Sequence, residues 1–231
     1  KNSLMVKLVA IAFLTGICVA ASFSVLELVM DRSQRADEAV AEIASQWSRE
    51  QTLNGPIITI PVRKTAVTSA GTETIEDVIF LLPDSLQYDI ALETETRSRD
   101  IFDAAVYTSR IKGAGVFDLD DIDLSHVDGS IQWNNAKISI GVPDTRGVES
   151  GAELTWNGQK RAFEPGVPAD GIGFTGMSVP VLLQQNKKEN LFSFELVLRG
   201  SEGIHVIPLG KTTSVSMSSR WPSPSFTGEF L

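Results

Sequence analysis

The sequence predicts a mainly β protein: an N-terminal transmembrane helix continuing into an amphipathic helix, then a large antiparallel β domain built as a two-sheet sandwich. Three observations carry this expectation. An apolar run without a single charge lies near the start, a stripe of apolar residues at helical spacing follows it, and period-two alternation takes over for the rest of the 231 residues. With 42% hydrophobic and 21% charged side chains, the chain is long enough to bury a sizeable core.

Residues 8–26, LVAIAFLTGICVAASFSVL, form the uncharged run. At about 1.5 Å of rise per residue it spans roughly 28 Å, close to the hydrocarbon thickness of a bilayer. A cleaved signal peptide has an apolar region of about 7–15 residues and a small-residue cleavage site. This run is longer and lacks a clear one, so an uncleaved anchor over residues 1–30 is expected, with the lipid bilayer as its partner. Lys1 and Lys7 precede it, and Glu27, Asp31, Arg32 and Arg35 follow with mixed sign. The positive-inside rule then places the N-terminus in the cytoplasm and residues from about 31 onward in the periplasm. Cys18 is the chain's one cysteine. Thr15-Gly16-Ile17 before it makes a poor lipidation box, so its expected role is packing against lipid.

Residues 31–54 read as an amphipathic helical connector. Ala36, Ala39, Val40, Ile43, Ala44 and Trp47 recur three and four apart with charged residues between them. Such a stripe serves either a partner or the protein's own domain, and the second use is the ordinary one. Asn54-Gly55-Pro56 is the expected stop, because Asn and Gly accept a left-handed cap and Pro cannot continue the helix.

From residue 55 to 231 the period is two. The runs 57–60, 75–82, 86–92, 131–133, 138–142, 191–198 and 215–221 are rich in β-formers and bounded by Gly, Pro, Asn and Asp. Asn157-Gly158 between Leu154-Thr155-Trp156 and residues 159–163 is the best hairpin signal. Short links favour antiparallel pairing. No second long helix competes.

The formal charge is −9, and −10 once two positive residues, Lys1 and Lys7, and one negative residue, Glu27, are set aside. An acidic exterior argues against nucleic acid and against anionic lipid head groups as partners. Outside the apolar run there is no cysteine, so the β domain relies on packing without disulfides.

Several stretches carry a specific resemblance. They are Gly55-Pro56 with residues 57–62 (GPIITIPV), Asp144-Thr145-Arg146-Gly147, Glu164-Pro165-Gly166, and the string that begins Trp221-Pro222, continues through Pro224, Phe226 and Gly228, and ends at Leu231. In this order, and along nearly the whole chain, the sequence resembles the CreD family of bacterial inner-membrane proteins. The resemblance implies a single anchor helix, a large periplasmic β domain and further membrane helices toward the C-terminus, before which this chain stops. It also implies a link to cell-envelope integrity, expression with envelope stress and β-lactam response, and altered tolerance to some bacteriocins. No established enzymatic activity and no cofactor come with it.

Residue by residue, chemistry is sparse. His126 and His205 are the two histidines, far apart and without paired ligand spacing, and zinc would need three or four donors. No G-x-S-x-G elbow is present, although triad members can come from anywhere in a fold. The acidic run at residues 117–124 is the strongest metal candidate, with Asp118, Asp120, Asp121 and Asp123 able to suit calcium. It lacks the EF-hand glycine and terminal glutamate. Leu and Ile alternate with its Asp residues, so a solvated turn or strand edge explains it better. Asp144 and Gly147 suit the start and end of a turn, with Arg146 either clamping Asp144 or free to grip an anion. Residues 166–176 lack a phosphate-loop pattern. Trp221 and Phe226 straddle a proline corner and would fix it if buried. The expected role is an interaction or ligand-sensing module for an unidentified envelope protein or ligand. An envelope hydrolase and a structural spacer for membrane helices are the alternatives.

Overall fold

One helix, α1 (Asn2–Trp47), leads into the sheets. The computed structural model describes residues 2–68, 71–99, 101–120, 122, 124–149, 151–168, 173–183 and 188–228. Side chains at 5–9 and 11–30 are all exposed. A cylinder of exposed Leu, Val, Ile and Phe this long is a surface that a bilayer covers. Cys18 is on it. The later stripe turns inward: Val40, Ile43 and Trp47 pack on Ala104 and Val106 of the β domain. The β domain therefore takes this face of the helix at Val40, Ile43 and Trp47, in a small cluster apart from the main core. Ala44's side chain lies outside the described residues.

The helix stops at Trp47 and not at Asn54. Ser48 takes a left-handed φ of 71°, and β1 (Gln51–Thr68) begins three residues later. Asn54-Gly55-Pro56 is instead a bulge inside that strand, where the register against β6 (Lys137–Gly141) shifts between Asn54 and Ile57. Turn residues thus bend a strand here rather than end a helix.

The remaining strands are β2 (Gly71–Leu81), β3 (Ser85–Arg99), β4 (Phe102–Asp118), β5 (Ser130–Ile131), β7 (Glu153–Trp156), β8 (Gln159–Ala162), β9 (Glu164–Pro165), β10 (Gly176–Pro180), β11 (Glu189–Ser201), β12 (Ile204–Val206) and β13 (Thr212–Ser219). They form two sheets. One runs β12-β1-β6-β10-β9 with β2 and β5 also on β1, and the other runs β13-β3-β4-β11-β7-β8. The Asn157-Gly158 hairpin forms as expected, joining β7 to β8. Most pairs are antiparallel, but β12 pairs β1 and β13 pairs β3 in parallel. Both exceptions join distant segments, where no tight turn imposes direction. Ile58, Ile60, Ile138 and Ile140 of the first sheet meet Tyr88, Ile111, Phe117, Phe192, Phe194 and Leu198 of the second in one core.

Candidate functional site: the helix–sandwich junction

Three of the four sequence motifs come together at one end of the first sheet, and one of them, Asp144–Gly147, meets Ser48 and Gln51 just after α1. Asn54 faces Gly141, and Gly141 faces Gly176 across β6 and β10. The Gly166 N–H then donates to the Gly176 carbonyl at 2.8 Å. Gly55-Pro56, Asp144-Thr145-Arg146-Gly147 and Glu164-Pro165-Gly166 thus lie at one end of the first sheet, linked by backbone pairing.

Gly55 has φ +106°, and a Cβ there would stand 2.8 Å from the Ser139 carbonyl. Only glycine fits that bulge. Its carbonyl accepts the buried Tyr88 hydroxyl from the facing sheet, so the bulge also ties the two layers together. Burial pushes the Tyr88 phenol well above its ordinary value of 10.0.

Asp144 caps a short 3₁₀ turn, Thr145–Gly147. Its Oδ1 accepts from the Arg146 backbone N–H at 3.1 Å and from Arg146 Nε at 2.9 Å, while Oδ2 accepts from Nη2 at 2.8 Å. The guanidinium beside it holds the Asp144 carboxyl below the usual carboxylate range, against a smaller opposing effect of partial burial. Arg146 therefore clamps its own turn. Gly147 is buried because a Cβ would meet the Arg199 carbonyl at 2.6 Å, Ser48 Oγ at 2.9 Å and Gln51 Nε2 at 3.0 Å.

The residues around that glycine were not singled out by the sequence. Gln51, fully buried, donates from Nε2 to the carbonyls of Arg199 at 3.3 Å and Asp144 at 3.5 Å. Ser201 Oγ donates to the Ser48 carbonyl at 3.0 Å. The guanidinium carbons of Arg97 and Arg199 stand 5.1 and 5.5 Å from the Trp47 ring centroid, and Arg199 also pairs with Glu149 at 2.6 Å. Trp47 in the helical stripe was the one available signal. The others are polar residues whose roles depend on contacts 50 to 153 positions away in sequence.

The fourth motif stays apart. Trp221 and Phe226 are 37% and 74% exposed, so the proline corner is not fixed by burying them. Residues 221–228, with Pro222, Pro224 and Gly228, run outside any strand. The Trp221 N–H donates to Ser219 Oγ at 3.1 Å.

Titratable groups elsewhere are engaged locally. His205 Nε2 meets Glu50 Oε1 at 2.5 Å with both side chains about half exposed, a pair that faces water. Tyr107, whose hydroxyl donates to the Gly203 carbonyl at 2.7 Å, is pushed up by burial and then by the nearby Glu50 charge. Asp118 Oδ1 accepts the Asp120 N–H at 2.9 Å, and Asp120 pairs with Lys188. Asp121 and Asp123 lie outside the described residues. Among the described residues no three His, Cys, Asp or Glu side chains are grouped to hold a metal.

Two concavities flank the junction's sheets. One, of about 730 Å³, is lined by Ser130, Gln132, Trp133, Asn134, Asn135 and Leu183 among others. Amide groups beside an indole face can hydrogen-bond and stack on a polar ligand. The other, of about 570 Å³, lies between α1 and the β3–β4 connection.

Against known proteins, the profile of the CreD family, described as "Inner membrane protein CreD", matches residues 3–231. The "Inner membrane protein CreD" of Escherichia coli (strain K12) is 28% identical over 210 residues, covering 89% of this chain and 46% of that protein. The chain thus spans about half the length of that relative. No solved structure matches.

Proposed function

The chain belongs to the CreD family of inner membrane proteins, and from that premise we propose that it holds a periplasmic recognition domain at the membrane, supporting envelope integrity under stress. In this reading residues 8–26 cross the inner membrane with the N-terminus in the cytoplasm, and the sandwich faces the periplasm as an interaction or ligand-sensing module. The observation that supports it best is the junction. Three motifs scattered over about 110 residues of sequence share one end of the first sheet, and one of them packs at Gly147 on Ser48 and Gln51, where the helix meets the sandwich. The most reactive-looking motif side chain, Arg146, gives its fork to Asp144. A rigid joint suits a domain that presents a surface and passes load to its anchor.

The amide-rich concavity around Trp133 is the surface we assign to recognition. Photo-crosslinking in living cells tests this, with a photoreactive residue at Asn134 and a control at the exposed Lys112. A discrete envelope adduct from position 134 and none from 112 is expected. Equal or absent adducts at both would remove the recognition reading. Orientation is checked separately: Ser216→Cys should react with a membrane-impermeant maleimide in spheroplasts.

A further inference from the structure

The β3–β4 hairpin leaves the sandwich and runs back along α1 toward the membrane. Ile43 of α1 packs on Ala104 and Val106 of β4. From Ile43 back to Leu28 is about 22 Å of helix, and from Val106 back to Ile101 is about 17 Å of strand. The two struts therefore keep pace, and Leu28 and Ile101 line the same groove with Phe102; its charged lining is mixed in sign, and Arg35 pairs with Asp31 at 3.0 Å. Leu28 lies only two residues past the uncharged run, about 3 Å along the axis. The exposed apolar surface of α1 continues past it through Val29 and Met30.

At that level the hairpin presents Ile101 with 73% of its surface exposed. Turns ordinarily carry Gly, Asn, Asp or Ser, and a large β-branched residue left exposed at a tip forgoes the free energy that its burial would supply. Phe102 beside it is only partly covered.

We propose that the β3–β4 tip is a second membrane contact. Ile101, backed by Phe102, seats in the interfacial layer of the leaflet from which α1 emerges. The occupant of the groove mouth is lipid, because the surface is continuous with the helix that crosses the bilayer. This rests on α1 being a membrane span. The tip would add a second point of attachment, so that the sandwich is held in one orientation to the membrane and cannot swing about the helix axis.

The test uses the full chain in lipid nanodiscs, in a Cys18→Ser background, with an environment-sensitive fluorophore on Ile101→Cys. Leu14→Cys in the middle of the span and Lys112→Cys on the exposed face of β4 are labelled in parallel. A label about 5–10 Å below the head groups should shift to the blue and lose roughly half its emission to lipids brominated high in the chain. That result is expected at 101, with quenching by deeper bromines at 14 and a water-like spectrum at 112. A water-like, unquenched spectrum at 101 overturns the proposal. Position 14 then tells whether the anchor fails with it or still stands.

Discussion

Gly147→Ala probes the junction most directly. The added methyl would stand 2.6 Å from the Arg199 carbonyl, and Arg199 belongs to β11, paired with Thr108 of β4. That backbone cannot retreat without disturbing the ladder. The methyl would also press on Ser48 Oγ and Gln51 Nε2 at 2.9 and 3.0 Å. Overpacking of this kind costs about 1–3 kcal/mol. Moving the buried Gln51 off its two carbonyls adds about 1 kcal/mol, since water cannot replace them. The sum, about 2–4 kcal/mol, should lower Tm by roughly 4–16 °C for a unit of this size. The assay is thermal unfolding of the full chain in nanodiscs, followed by tryptophan fluorescence, to which Trp47 at the joint contributes. Gly16→Ala, which meets nothing within 4 Å, is the control. A Gly147→Ala melt that overlays the control would refute the claim that this close approach holds helix and sandwich together.

Phe194→Ala empties a ring that lies 6.1 Å from Tyr88, centroid to centroid, in the core. A loss of about 3–5 kcal/mol is expected in urea unfolding. The chain has two tyrosines, and burial raises both Tyr88 and Tyr107 above 10.0. Unfolded tyrosine gives up its proton at that value while the folded residue keeps it. The stability they contribute is therefore complete below pH 10.0 and falls as pH rises above it. Tyrosinate absorbance should appear only together with unfolding, and a titration at 10.0 in the folded protein would contradict their burial. Asp144→Ala removes the cap of the 3₁₀ turn and should cost about 0.5–2 kcal/mol in the same melt. Because the Asp144 carboxyl is held low, its contribution is present above the ordinary carboxylate pKa and disappears as pH falls through the depressed value, an acid loss the variant should not show. A calorimetric titration with millimolar calcium should give no heat from the acidic run at 117–124, where Lys188 already pairs with Asp120.

What the sequence revealed of the fold depended on whether local pattern or distant contact decided each element. β11 is legible because its residues alternate exposed and buried along almost its whole length, which period-two hydrophobicity reports directly. β4 is not, although it is among the longest strands. Several of its inward positions are small: Ser109, Gly113 and Gly115. A Cβ on Gly113 would fall 2.2 Å from the Phe194 ring, and one on Gly115 2.8 Å from the Phe192 ring. The bulk that fills this part of the core belongs to β11, so the strand beneath it shows little apolar alternation at these positions. The helix ends earlier than its local sequence signals, for a related reason. Gly and Pro at 55 and 56 are the strongest local stop signal, but Ser48, bonded to Ser201 and pressed against Gly147, turns the chain earlier.

For the site, the motifs were legible as residues but not as a place. Nothing in their spacing says that Gly55, Gly147 and Gly166 lie at one sheet end, because that follows from register across β1, β6, β10 and β9. Once register is known, their roles separate by burial. Gly55 and Gly147 occupy spaces no side chain could share. Trp221 and Phe226, equally specific in sequence, contribute little to the core, and the roughly 1.5–3 kcal/mol that burying a Phe can supply is not realised within the sandwich. A motif match therefore identifies positions under constraint without saying whether the constraint is the joint itself or a surface that the joint holds in place. Here the Gly147 motif answers to the joint, and the aromatic tail and the Ile101 tip are among the apolar groups that the sandwich carries but does not bury.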